Sequence, residues 1–230
     1  MVLLIENMFE WANDHPELFK ICTLFNLTEL SNPERVVYKS LQGYIQEGPQ
    51  CGLVALAIAC EQPNKKFVQY VLDIAKEHDL TYNGEIFSSL YMERLARIVL
   101  PINSIINSFY GDLDCEKTRK HLFEGGLILV PYDADKNNYP GFYNGHKAHW
   151  AIVCGAVETP NNFYVIVRHG KAKNVAFWLL QDLCKSNRQL NEFSPDRKLD
   201  TLKYKIPDGG LNGCMGLRNS AVFIKLYKNR

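Results

Sequence analysis

Two hydrophobic periodicities divide this chain, and their order along it is what most restricts the fold. β-Branched and aromatic runs crowd into the second half: "GLILVPYD" (126–133), "AHWAIVCGAVE" (148–158), "NFYVIVRHG" (162–170), "VAFWLL" (175–180) and "SAVFIKLYK" (220–228). The first half reads as helix. Residues 51–61 are rich in Ala, Leu and Ile, starting after Gly48-Pro49 and stopping before Pro63. Residues 64–79 place Phe67, Val71, Ile74 and Ala75 at helical spacing behind Asn64, a good cap. A third helix is predicted over 85–98, with Ile86, Leu90, Leu95 and Ile98 as its buried stripe. Helices first and antiparallel strands after predict an α+β fold, not alternating βαβ units. "ETPNN" (158–162) is a turn, which makes 148–170 a hairpin. The expected site is a cleft between the helical half and the sheet half.

No repeat, low-complexity tract or Pro/Gly/Ser-rich linker interrupts the chain, so residues 1–230 are expected to form one domain, with 1–40 as its N-terminal helical extension. The 26 basic and 25 acidic residues nearly cancel. No broad basic field therefore supports a nucleic-acid partner. The apolar run at 2–5 is too short for a signal-peptide core, and no stretch reaches bilayer-spanning length, so no membrane partner is expected. Seven scattered cysteines without a CxxC pair predict reduced thiols and a cytoplasmic location.

One of those thiols is placed for chemistry. "QEGPQCGLVALAIAC" (46–60) sets Cys51 where a helix begins, and a helix N-terminus favours thiolate over thiol. Gly48 and Pro49 set a tight entry, and Gly52 would let a substrate backbone approach. The Cys51 backbone N–H points to where an oxyanion would form, and both Gln46 and Gln50 could complete the hole. Among six histidines, His149 starts an apolar strand, a rigid mount for an imidazole. A packing role for Cys51 competes with nucleophilic catalysis. The pairing with His149 favours catalysis.

"QEGPQCGLVALAIA", then "HKAHWAIVCG", then "SNRQLNEFSPDRK" (186–198) resemble the animal actin maturation proteases, members of the papain-like set that includes the bacteriocin-leader peptidases. The likeness runs from about Gln42 to near the C-terminus. It implies a papain-like fold, with a helical half carrying the cysteine packed on an antiparallel sheet carrying the histidine. It also implies a cytoplasmic cysteine aminopeptidase that removes an N-acetylated Met or Cys from immature actin, exposing acidic residues. By motif, Cys51 is the nucleophile, His149 its partner and Gln46 the oxyanion-hole amide. No cofactor or metal is required, and a monomer is expected. A non-catalytic papain-like module holding actin, or a thiol hydrolase with another protein substrate, are the competing readings.

The chain departs from the wider papain-like pattern twice. Gln46 lies five residues before Cys51 where the broader group has six, which keeps Gln50 as a rival. The Asp or Asn that orients the histidine is also missing. Opposite the His149 end of the hairpin stands "RHGKA" (168–172), so His169, Asn174, a backbone carbonyl or water is left for that role. Lys147, Arg168, Lys171 and Lys173 cluster near the same end, as a solvated face or as guides for an acidic tail. Loop 133–147 is either a flexible surface loop or a wall beside His149. A metal trio of His146, His149 and Cys154 is disfavoured, because strand residues three apart face opposite ways.

Overall fold

The computed structural model describes residues 7–198 and 201–227. The apolar run at 2–5 and the last residue of the 220–228 strand lie outside them. Seven α-helices, α1 (Pro16–Leu24), α2 (Cys51–Ala59), α3 (Lys65–Glu77), α4 (Ser89–Val99), α5 (Glu116–Phe123), α6 (Leu180–Arg188) and α7 (Pro195–Lys198), are described, with short 3-10 turns at Asn7–Ala12, Thr28–Leu30 and Gly210–Asn212. The strands are β1 (Arg35–Tyr38), β2 (Ile105–Tyr110), β3 (Leu127–Ala134), β4 (Pro140–Gly141), β5 (Ala148–Glu158), β6 (Phe163–His169), β7 (Ala176–Leu179) and β8 (Ser220–Lys225). They form one antiparallel sheet in the order β2-β8-β3-β5-β6-β7, with β1 added on β5 and β4 on β3. The α+β layout expected from the two periodicities is the layout observed.

The sheet separates two apolar clusters. Along β5, Trp150, Ile152 and Cys154 join the cluster with α2, while Ala151 and Val153 join the one with α6, as strand alternation requires. Every residue of α2 from Gly52 to Ala59 is buried, so it is apolar on all sides and fills the interior rather than lying on the surface. Its seat on the sheet depends on Gly52. A Cβ there would stand 2.8 Å from Met92 Cε and 3.2 Å from Trp150 Cδ1. Trp150 is fixed by its indole N–H, which donates to Ile86 O at 2.8 Å.

Asn64 caps α3 by accepting from Phe67 N at 3.0 Å, but the buried positions are Val68, Val71, Leu72 and Ala75, one step round from the expected stripe. The third helix starts later than predicted, capped by Ser88. Ile86 is buried in the segment before it and Ile98 is 43% exposed, so of the expected stripe Leu95 alone is a buried residue within the helix. Strand β2 and helix α5 were not expected at all. The N-terminal extension is not wholly helical: it ends in β1, which pairs with the far half of β5. The hairpin is as predicted, closed by Thr159 N donating to Asn162 O at 2.9 Å.

Candidate active site

A cleft of about 320 Å³ opens where the first turn of α2 meets the start of β5. Cys51, His149 and Gln46 all line it, together with Ile86, Phe87, Trp150, Lys147, Lys171 and Arg197. Cys51 is the first residue of α2, and its N-cap Gln50 makes no side-chain capping bond. The first-turn N–H groups have no intrahelical partner, so they are donors facing whatever binds at the sulfur.

Gln46 is held at both ends. Its backbone N–H donates to Gly170 O at 2.8 Å and its Nε2 donates to Gly48 O at 2.7 Å. That leaves a second Nε2 hydrogen for an oxyanion, while Oε1 is buried with no partner among the described residues. The fit demands glycine at 170, where a Cβ would be 2.6 Å from Oε1. Gln50 instead packs its Cγ toward Gly84 and does not line the cleft. Gly52 faces Met92 and Trp150, so its place in the structure is to seat the helix and not to admit substrate.

His149 is the second residue of β5 and is buried. Its ring stands perpendicular to Tyr132, the residue directly opposite on β3, and close to His169 on β6. Nε2 is buried without a hydrogen-bond partner among the described residues. His169 does not supply one: its Nδ1 accepts from Lys171 N at 3.3 Å, so in the neutral ring the other nitrogen is a donor. Asn174 is exposed and does not line the cleft.

The protonation states differ from the low thiol pKa that a helix start alone predicts. Burial pushes the Cys51 thiol up, against the opposing pull of the Trp150 N–H, Arg197, the Gly52 N–H and Lys171. Burial, reinforced by His169, Lys171 and Arg197, lowers His149 from 6.5 to about 3. His169 is lowered to about 4 by burial and then by Lys171. Both effects favour a neutral thiol beside a neutral imidazole, and no hydrogen bond joins the two among the described residues. The chemistry this permits is proton transfer from sulfur to imidazole as the sulfur attacks, rather than from a preformed ion pair.

The basic residues divide. Lys147 and Lys171 reach the cleft, whereas Arg168 and Lys173 do not. Arg168 is 2% exposed and turned to the other face of the sheet, paired with Glu17 of α1. It also donates to Tyr38 Oη at 3.3 Å and Lys173 O at 2.6 Å, so it is a tie between elements and not a substrate guide.

Arg197 is the cleft residue that sequence reasoning missed. It lies over the Phe87 ring, 5.5 Å from guanidinium carbon to centroid. The signal was present, since Arg197 falls inside the distinctive "EFSPDR" stretch. The longer 186–198 segment, through Gln189 and Glu192, also fixes the 133–147 loop as a wall. Asp133, fully buried, accepts from the N–H groups of Tyr143, Gly145 and Lys147 and from Gln189 Nε2. Glu192 takes His146 at 2.8 Å, and Cys154 donates to Ile166 O inside the core, so the metal trio is dispersed.

Residues 41–157 match the family model described as actin maturation protease-like, C-terminal domain. A Drosophila melanogaster protein named actin maturation protease is 38% identical over 215 residues, which covers 93% of this chain and 80% of that one. The human and mouse proteins of the same name are 31% and 30% identical, each over 80% of this chain. This chain spans 64% and 62% of their respective lengths. Among solved structures, the peptidase domain of Streptococcus ComA aligns with 81% of this chain and 98% of its own, at a TM-score of 0.45 and 11% identity. By the family model and the identity across nearly its whole length, this chain belongs to the actin maturation protease family.

Proposed function

We propose that this chain is a cytoplasmic cysteine peptidase that removes an N-acetylated Met or Cys from the N-terminus of immature actin. The observation that carries this reading is the meeting, in one cleft, of Cys51 at a helix N-terminus, His149 on a strand and the Gln46 amide. Family membership supports actin as the substrate.

In this reading the Cys51 sulfur attacks the carbonyl of the acetylated first residue while His149 takes the thiol proton. The oxyanion meets the first-turn N–H groups and the free Gln46 N–H. The peptide C–N bond then breaks, and His149 returns the proton to the departing amine. Water hydrolyses the thioester, releasing the acetylated amino acid and restoring the thiol. The apolar wall of Ile86, Phe87, Trp150 and Leu217 suits a blocked apolar residue. Lys147, Lys171 and Arg197 suit the acidic residues beyond the cut. Glu85, also on the wall, has its carboxylate occupied by the N–H groups of Tyr82, Asn83 and Lys205. One domain acting as a monomer is sufficient for these steps.

The test is cleavage of peptides beginning acetyl-Met-Asp-Asp and acetyl-Met-Asn-Asn at low and high salt. The acidic peptide should be cut faster, by a margin that shrinks with salt. Equal rates at low salt remove the electrostatic part, and no cleavage of either removes the substrate. The partnerless Nε2 favours a second reading, a binding module that has kept the shape without the chemistry. Modification of Cys51 by a thiol-directed electrophile ahead of the other six cysteines speaks for the enzyme, and uniform labelling for the module.

A further inference from the structure

The wider papain-like group orients its histidine with an Asp or Asn; here Asp135 and Asn138 line the same cleft, but neither hydrogen-bonds His149 Nε2, which has no partner among the described residues. The surroundings of the ring suggest what replaces it. Tyr132 is its directly opposed cross-strand neighbour, with ring centroids 5.7 Å apart and planes at 82°. The tyrosine is itself immobilised: it is fully buried, its hydroxyl donates to Asn138 O at 3.1 Å, and its ring lies 4.7 Å from that of Trp178. Trp178 in turn stacks on His169, at 5.8 Å and 16°. The His149 ring is therefore held against a wall of aromatic faces.

We propose that Tyr132 is the positioning residue for His149, fixing the imidazole by perpendicular ring packing where related enzymes use a hydrogen-bond acceptor. This deepens the peptidase reading and rests on it for the kinetic half of its test. His169 is the other neighbour, but it is farther away, at 6.2 Å, and set on the diagonal, since it pairs with Ala151. Its Nδ1 is already occupied by the Lys171 N–H, so it has no acceptor to offer. Aromatic cross-strand pairs are a recognised source of side-chain order in sheets. The ring needs no exchangeable proton for this, which makes the role separable from that of a hydroxyl.

Physical consequences follow for the imidazolium. Its Nε2–H would have no acceptor among the described residues. His169, Lys171 and Arg197 all oppose a charge on the ring, and the cleft carboxylates Glu85 and Asp135 are engaged by backbone N–H groups instead. His149 should therefore stay neutral well below its ordinary value for as long as Tyr132 keeps water from Nε2.

The experiment follows His149 by NMR titration of isotope-labelled protein, alongside kcat and KM on the acetylated actin peptide. Tyr132→Leu should raise the His149 pKa by about one unit or more as water reaches the ring. It should also lower kcat by about 10²-fold through misplacement of the base, with KM little changed. Tyr132→Phe keeps the ring and should recover both properties. His169→Gln should have much the smaller effect on each. The inference is overturned if His169→Gln moves the titration and kcat more than Tyr132→Leu, or if Tyr132→Phe is as damaging as Tyr132→Leu. Should Tyr132→Leu fail to fold, Tyr132→Phe and His169→Gln still test the inference. Wild-type titration and kcat in the first, with at most a small change in the second, uphold it. A raised His149 pKa with a lost kcat in the first, or a loss of kcat of about 10²-fold in the second, overturns it. If the actin peptide is not a substrate, the titration needs none and settles the role of Tyr132 by itself.

Discussion

Arg168 and His169 are consecutive on β6, and both are almost wholly buried, yet their surroundings are opposite. Arg168 faces the α2 side of the sheet and keeps its charge, because Glu17 answers it and Tyr38 and Lys173 accept from it. Val175 N donates to the second Glu17 oxygen at 3.0 Å, so one carboxylate ties the N-terminal helix to both ends of the 169–175 turn. His169 faces the opposite, α6 side with His149, where no carboxylate is hydrogen-bonded to either ring among the described residues, and both rings are driven neutral. Burial alone thus does not decide whether a group is charged; the presence of a counter-charge does. One face of the strand holds the fold together, and the other keeps its polar atoms available for a reaction.

That division predicts which variants lose rate and which lose stability. The largest effect should come from the cleft. Cys51→Ala should abolish turnover, by about 10⁴-fold or more, because no other group can form the thioester. Its thermal unfolding should stay close to that of the wild type, since a single sulfur at the start of α2 is removed and the cleft it lines is already open. Gln46→Ala should lower kcat by about 10²–10³ through loss of one oxyanion donor, with a smaller change in KM. A Gln50→Ala variant with that signature would reverse the assignment of the two amides.

Across the strand the effect should move from rate to stability. Glu17→Ala leaves Arg168 without its counter-charge, and a fully buried pair broken this way costs about 3–5 kcal/mol. The Glu17 side chain is 30% exposed. Partial solvation should reduce the loss to about 2–3 kcal/mol in urea unfolding, with kcat per folded molecule falling far less than in Gln46→Ala. A Glu17→Ala protein of normal stability and low kcat would break the comparison.

The neutral pair of histidines gives stability its own pH dependence. Both have folded-state pKa values, about 3 and about 4, below the unfolded 6.5. Between those values the unfolded chain binds more protons, so stability is full above 6.5 and falls as pH drops. From pH 6.5 to about pH 5 each ring should cost about 2 kcal/mol, and His169→Gln should remove roughly half of the total slope. The smallest effects belong to the rim. Lys171→Gln or Arg197→Gln should lower kcat/KM on acidic peptides by up to about five-fold at low salt, the worth of one exposed charge pair, and by less at high salt.

How much of this was legible in the sequence depended on how local the cause was. The Asn64 cap, the 158–162 turn and the five later strands are set by short-range chemistry, and the structure contains all of them. Cys51 and His149 could be read because a helix start and a strand start are local features too. Strand β2 could not: its "IINSFY" alternates weakly and is a strand because β8 pairs with it. Arg168 was misassigned because charge clustering in sequence does not say which face of a strand a residue takes, or that Glu17 waits 151 residues away. The thiol pKa was misjudged for a related reason, since the helix N-terminus is visible in sequence and the burial that opposes it is not.

The central claim is that Cys51 carries the acyl group of an acetylated actin N-terminus. Its most direct test is mass spectrometry of the protein quenched in acid during turnover of an acetyl-Met-Asp-Asp peptide. The account predicts an acetyl-methionyl adduct on the tryptic peptide containing Cys51, and free acetyl-methionine accumulating in solution. Both should vanish in Cys51→Ala. Release of acetyl-methionine by Cys51→Ala at a rate near that of the wild type would contradict it.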